Sequence, residues 1–142
     1  MRYNFCLILF IVFSFTFIDT VKSTAVSYEI EMIKVIDGDT MLIRLLDISG
    51  IDVEVKLRIL GIDTAELTSI EPKELELSLR AKDYAEELLL GKSNLRVVNI
   101  SNDKYRSRIV GDIELSNGKL FSKMMLDKNL AIQYDGKTKQ LF

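Results

Sequence analysis

Residues 37–66 read DGDTMLIRLLDISGIDVEVKLRILGIDTAE, and this stretch decides the fold. Asp37-Gly38 is a turn dipeptide. Thr40 to Ile48 is apolar on both sides, the pattern of a strand covered on both faces. Ser49-Gly50 marks a second turn. Asp52 to Leu60 alternates: Val53, Val55, Leu57 and Ile59 face one way, and Glu54, Lys56 and Arg58 face the other. The stretch is therefore expected to form a β-hairpin. A turn centred near residues 49–50 pairs residues whose numbers sum to about 99. That register sets Asp39 opposite Leu60 and Arg58 opposite Met41. The start of one strand and the end of the next then share an edge, where Asp39, Arg58, Asp63 and Glu66 converge.

The flanking sequence extends the β pattern. Ser27 to Ile36 alternates Tyr28, Ile30 and Met32 against Glu29 and Glu31, as a half-buried strand does. Glu74 to Leu90 has apolar residues at 75, 79, 84/85 and 88/89, an amphipathic helix that Pro72 precedes. Leu95 to Ile100 and Arg108 to Leu115 read as two further strands, Leu120 to Leu130 as a short helix, and Ala131 to Phe142 as a mostly polar tail. The Met124-Met125 pair fits core packing on the short helix. Three strands, a helix, two strands and a helix predict a mainly β, α+β fold. This is a five-stranded Greek-key barrel of the OB type, with one main helix and a short C-terminal helix. The strand pattern alone also admits an SH3-like barrel.

Composition narrows the chemistry. The chain has 142 residues, enough for one domain. It contains no histidine, so histidine metal ligands, a Ser-His-Asp triad and a histidine base are all excluded. Its single cysteine is Cys6, which lies in an apolar run from Phe5 to Ile18. That run follows Arg2 and precedes Val21 and Ser23, the pattern of a cleaved secretory signal over residues 1–23. It is short for a membrane span, which needs about 20 residues, although an uncleaved anchor over 5–18 is the alternative. The mature domain, residues 24–142, then holds no cysteine, and neither a disulfide nor a thiol nucleophile is available. The expected location is secreted or periplasmic. Net charge is −2, unlike the usual basic nucleic-acid binder. A local positive site built from arginines and a cation remains open.

Carboxylates, arginine, lysine, tyrosine or a metal held by oxygen are what remain. Asp39 and Asp63, with a carbonyl of the Asp63–Thr64 turn, suit a cation that prefers oxygen. Ca²⁺ accepts about six to eight such ligands, with water and phosphate completing a sparse shell, and Mg²⁺ is the alternative. Arg58 offers the planar fork that grips phosphate. Glu66 is placed to orient or deprotonate a water.

The residues V-I-D-G-D-T (35–40), R-I-L-G-I-D-T-A-E (58–66) and D-K-Y-R-S-R-I-V (103–110) resemble the thermonuclease family, the staphylococcal-nuclease-like domains. The likeness runs from about Tyr28 to Tyr134. It implies an OB fold and Ca²⁺-dependent hydrolysis of phosphodiester bonds in DNA and RNA, leaving 3′-phosphate ends. By motif, it implies that Asp39 and Asp63 are calcium carboxylates and that Thr64 gives a backbone carbonyl. It likewise implies that Arg58 and a second arginine bind phosphate, with Glu66 as base and Asp37 as an acid behind the ligands. Lys104 and Tyr105 match residues that contact a neighbouring phosphate. Ala65 stands where the family usually has proline. The second arginine normally follows a Tyr-Gly pair, whereas here Tyr105-Arg106-Ser107-Arg108 carries an extra residue. Arg108 keeps the link to the following strand and is preferred to Arg106. The long C-terminal helix of larger family members has no counterpart after L-A-I-Q-Y-D-G-K.

A non-catalytic OB module that binds single-stranded nucleic acid or a protein is the competing reading. Such modules stack bases on exposed aromatics, and the mature chain offers only Tyr28, Tyr84, Tyr105 and Tyr134 as tyrosines. The expected partner is a DNA or RNA substrate, and the expected state is a monomer.

Overall fold

The computed structural model describes residues 26–46, 50–102 and 108–136. The apolar run at 5–18, the hairpin tip at 47–49, Lys104, Tyr105 and Arg106 lie outside them. Among the described residues no helix is long and apolar enough to cross a membrane.

Strands β1 (Tyr28–Val35), β2 (Thr40–Leu45) and β3 (Val53–Ile59) form an antiparallel meander. Helix α1 (Pro72–Leu89) then crosses to β5 (Leu95–Asn102), which returns as β6 (Ile109–Glu114). β3 pairs with β6 in parallel, and β1 pairs with β5, so the sheet closes as β1-β2-β3-β6-β5. This is the five-stranded mixed barrel of an OB fold, with α1 and the short α2 (Phe121–Asp127) as its two helices. Two bulges help the strands curl. One interrupts β1 between Met32 and Lys34, and one interrupts β5 between Val98 and Ser101. Gly111 on β6 faces the second. A Cβ there would lie 3.0 Å from Val97 Cγ2 and from the Val98 carbonyl oxygen, so any larger residue would require its neighbours to give by a few tenths of an ångström.

The inward rows of the strands fill the barrel. Ile30, Met32, Met41, Ile43, Leu57, Ile59, Leu95, Val97 and Ile113 are buried together with Phe121 and Met125 of α2. On the outer surface, charges are tied across strands. Arg44 pairs with Glu31 on β1 at 2.6 Å and with Glu54 on β3 at 2.9 Å, its direct neighbours in register.

Three sequence expectations change. The hairpin register is one residue tighter than expected: Thr40 pairs with Arg58 and Met41 with Leu57. The strands end at Leu45 and Val53, so the connection is longer than a tight Ser49-Gly50 turn, and its centre falls on residue 49.

The buried face of α1 keeps Ala85 and Leu89 of the expected stripe but shifts in its first half, where Ser78 and Ala81 are buried and Leu79 is 49% exposed. Small residues face inward because the helix passes close to the turn at Gly38, where an added Cβ would meet Ala81 Cβ at 2.9 Å. The hydroxyl of Ser78 donates to the Leu75 carbonyl at 2.7 Å, so its burial leaves no unpaired donor.

Finally, the segment read as the start of a polar tail is structural. Ala131 is buried, and β7 (Ile132–Gln133) pairs with β4 (Ile62–Asp63) in a separate two-stranded sheet; Leu130, expected to end the short helix, is buried beyond its last residue, Asp127.

Candidate functional site

The hairpin does bring the acids and Arg58 together. Asp39 lies just ahead of β2, where the Ile59 amide donates to its carbonyl at 2.8 Å. Arg58 follows one position behind on β3. Its Nη1 lies 2.5 Å from Asp39 Oδ1, and its Nη2 lies 2.7 Å from Asp63 Oδ1. The guanidinium thus bridges two carboxylates that are 24 positions apart in sequence. The Asp39 and Arg58 side chains are only 8% and 14% exposed, so the pair is largely desolvated.

Asp39 is held from every side. Its Oδ2 accepts the Thr64 amide at 2.8 Å and the Thr64 hydroxyl at 2.9 Å, and its Oδ1 accepts the Thr40 hydroxyl at 3.0 Å. Its own amide donates to Asp37 Oδ1 at 3.0 Å, closing the Asp37-Gly38-Asp39 turn. Burial, then the nearby Asp39 charge, push the Asp37 carboxyl above its ordinary pKa. Thr64 was expected to supply a backbone carbonyl; its amide and hydroxyl act here as the clamp on Asp39.

Two features fix that clamp. Gly38 lets Thr64 and Ala81 close in, since an added Cβ would meet Thr64 Cγ2, Thr64 Oγ1 and Ala81 Cβ each at 2.9 Å. On the other side, Asp63 pairs with Ile132, and the Tyr134 amide donates to the Gly61 carbonyl at 3.0 Å. Neither was legible in the sequence. A four-residue sheet has no periodicity to read, although Ile62 and Ile132, each beside a polar residue, were its one signal.

Glu66 stands apart from this interior. It is exposed, on the loop that leads to α1. The Ser69 amide donates to its carbonyl at 3.1 Å, and the Ser69 hydroxyl donates to Glu74 at 2.6 Å. The Thr68 hydroxyl reaches Glu66 Oε2 only at 3.4 Å. Arg108, half-buried just ahead of β6, completes the set. All of these groups line one open cleft of about 450 Å³, where Asp37, Asp39, Asp63 and Glu66 meet Arg58 and Arg108. The acids outnumber the cations by two.

The donors suit a hard cation in kind: carboxylate and backbone oxygens, with no nitrogen or sulfur ligand. The excess of acid leaves the cleft short of positive charge. Among the described residues no three acidic side chains are grouped closely enough to form a cage. Any such ion would rest on two carboxylates and a backbone oxygen, with water or phosphate filling the remainder.

Fold and cleft together define an OB-barrel domain with an acid–arginine site at one edge. A family model described as staphylococcal nuclease homologue matches residues 56–141, more than half of the chain. The chain belongs to that family, whose members are in general nucleases that act on nucleic acid. The matched segment includes Arg58, Asp63, Thr64, Glu66 and Arg108, whereas Asp37 and Asp39 precede it and join the cleft through the hairpin. No curated protein matches the chain.

Proposed function

We propose that this protein is a secreted, Ca²⁺-dependent nuclease that hydrolyses phosphodiester bonds of DNA and RNA to leave 3′-phosphate ends. The observation that carries this reading is the guanidinium of Arg58 suspended between Asp39 and Asp63, in a cleft that also receives Glu66 and Arg108. Asp39, Asp63 and the Thr64 carbonyl would hold the ion, with Asp37 behind them as the residue that fixes the Asp39 amide. Ca²⁺, when bound, would offset the acid excess and polarise a phosphoryl oxygen.

The chain's own residues perform the remaining tasks. Arg58 exchanges a carboxylate contact for a phosphate oxygen, and Arg108 takes another. The two guanidiniums stabilise charge that builds on the phosphoryl oxygens. Glu66 takes a proton from water as the water oxygen bonds to phosphorus. The bond from phosphorus to the 5′ oxygen breaks with its electron pair on that oxygen, which takes a proton from solvent, giving a 3′-phosphate and a 5′-hydroxyl. Glu66 is exposed and reaches the cleft from a loop, which suits a group that must meet both solvent and substrate. Lys104 and Tyr105 extend the phosphate contacts in this reading, and residues 1–23 direct export.

Digestion of single-stranded DNA in Ca²⁺ and then in EGTA tests the proposal. The expected result is activity that EGTA abolishes. Activity undiminished by EGTA removes the calcium assignment, and no cleavage under either condition removes the nuclease. Among the described residues no three acids group as a metal site, and this favours one second reading, an OB module that binds nucleic acid without turnover. Strand binding without any cleavage product would establish it.

A further inference from the structure

A second cleft, about 600 Å³ and larger than the first, lies between α1, the turn after β6, and α2. It shares no lining residue with the acid–arginine cleft. Lys119, Lys123 and Lys128 line it, against a single carboxylate, Asp127. All four are exposed. Among the described residues none of the three ammonium groups lies within ion-pair distance of a carboxylate. Lys128 Nζ sits 5.9 Å from the centre of the Tyr84 ring, within range of a cation–π contact that holds it at the wall. Met124 adds an apolar surface beside the ring.

A local excess of positive charge in a chain of net charge −2 needs an explanation. Acidic proteins lose little by scattering lysines among their acids; here three are gathered around one hollow that holds a single carboxylate, Asp127. Lysine is a point charge without the directional fork of arginine, so the group suits a chain of phosphates better than one small anion held in fixed geometry. The half-buried Tyr84 and Met124 give sugars and bases an apolar surface to rest on.

We propose that this cleft is a second nucleic-acid site, which binds the phosphate backbone of a single strand without reading its sequence. It would hold substrate away from the scissile bond and so raise capture of long strands over short ones. The inference rests on the nucleic-acid reading of the first cleft, but not on hydrolysis.

Fluorescence anisotropy of a labelled single-stranded oligonucleotide of about 20 nucleotides, in EGTA so that nothing is cleaved, tests it. The variant with Lys119→Gln, Lys123→Gln and Lys128→Gln is expected to bind on the order of tenfold more weakly at low salt. The slope of log affinity against log salt should flatten by about 2, at about 0.7 for each phosphate that is no longer neutralised. Asp127→Asn, which removes the one opposing charge, should tighten binding. Hydrolysis of a small bis-nitrophenyl phosphodiester should be equal in the parent and the triple variant. Unchanged affinity and unchanged slope in the triple variant overturn the site. If the parent fails to bind the strand, the second site falls even where the small diester is hydrolysed. Binding that depends on the lysines, without any cleavage in Ca²⁺, sustains this site and removes the hydrolytic reading of the other.

Discussion

The inner wall of the acid–arginine cleft and its rim are built on opposite plans. Inside, Asp39 receives Arg58, both donors of Thr64 and the Thr40 hydroxyl within 3.0 Å. At the rim, Glu66 is exposed, and the Thr68 hydroxyl reaches its carboxylate only at 3.4 Å. Groups that must hold charge at fixed positions are embedded, each oriented by several partners. The group assigned to move a proton sits on an exposed loop. Substitutions inside should therefore disturb folding and function together, and substitutions at the rim should disturb function alone.

Arg58→Ala is the severest break of this contrast. It removes the cation that bridges Asp39 and Asp63, and unpaired buried charge costs about 3–5 kcal/mol. Thermal unfolding in EGTA should register that loss. Ca²⁺ should restore part of it, because an ion bound only by the folded state stabilises it. Cleavage should fall by about 10²–10³. An unchanged melting temperature in EGTA would mean that the bridge contributes nothing to folding.

Glu66→Gln isolates the rim. Cleavage should drop by about 10²–10⁴, the span of a general base. Stability should stay within about 0.5 kcal/mol, as expected for an exposed side chain. A large fall in stability would erase the distinction between wall and rim.

Gly38→Ala tests how tightly the wall is packed. Contacts at 2.9 Å to Thr64 and Ala81 leave no room for a methyl group. Overpacking of this kind costs about 1–3 kcal/mol, and a displaced Thr64 should weaken Ca²⁺ affinity measured by calorimetry. Tolerance of the methyl group with full affinity would show that the clamp adapts.

Asp37→Asn gives the smallest effect, with opposite sign. The Asp37 pKa is raised in the folded protein, so the folded state holds its proton to higher pH than the unfolded chain does. Stability then falls as pH rises from 3.8 through the raised value, and the deficit persists at neutral pH. Asparagine keeps the acceptor for the Asp39 amide without the charge. It should raise the melting temperature at pH 7 and have no such benefit below pH 3.8. A lower melting temperature at pH 7 would contradict the sign.

Sequence reasoning reached the barrel because its signals are local. Period-two alternation in Asp52–Leu60, the covered strand after Thr40 and the turn at Asp37-Gly38 each depend on neighbouring residues, and together they bring Arg58 to Asp39. What it missed depends on contacts remote in sequence. The one-residue slip in register came from a connection whose length no dipeptide specifies. Near the Gly38 turn the inward face of α1 is small, Ser78 and Ala81, because the close approach there leaves no room for a larger residue. β4 and β7 are two residues each, too short for any periodic pattern. The nuclease-like motifs located the acids but gave no hint that Thr64 clamps Asp39 with two donors.

The pairing of β4 with β7 ties the site to the far end of the described chain. Asp63 is held across from Ile132, and Gly61 accepts from Tyr134, some seventy positions later. During synthesis the barrel strands emerge before that partner exists. A chain still waiting for residues 132–134 carries both arginines and every acid, yet lacks the brace on Asp63. The brace on Asp63 can form only once residues 132–134 are present, so the cleft is expected to be completed later than the barrel that carries it. Amide exchange at Tyr134 would report this timing, and protection there appearing well before the cleft binds Ca²⁺ would argue against it.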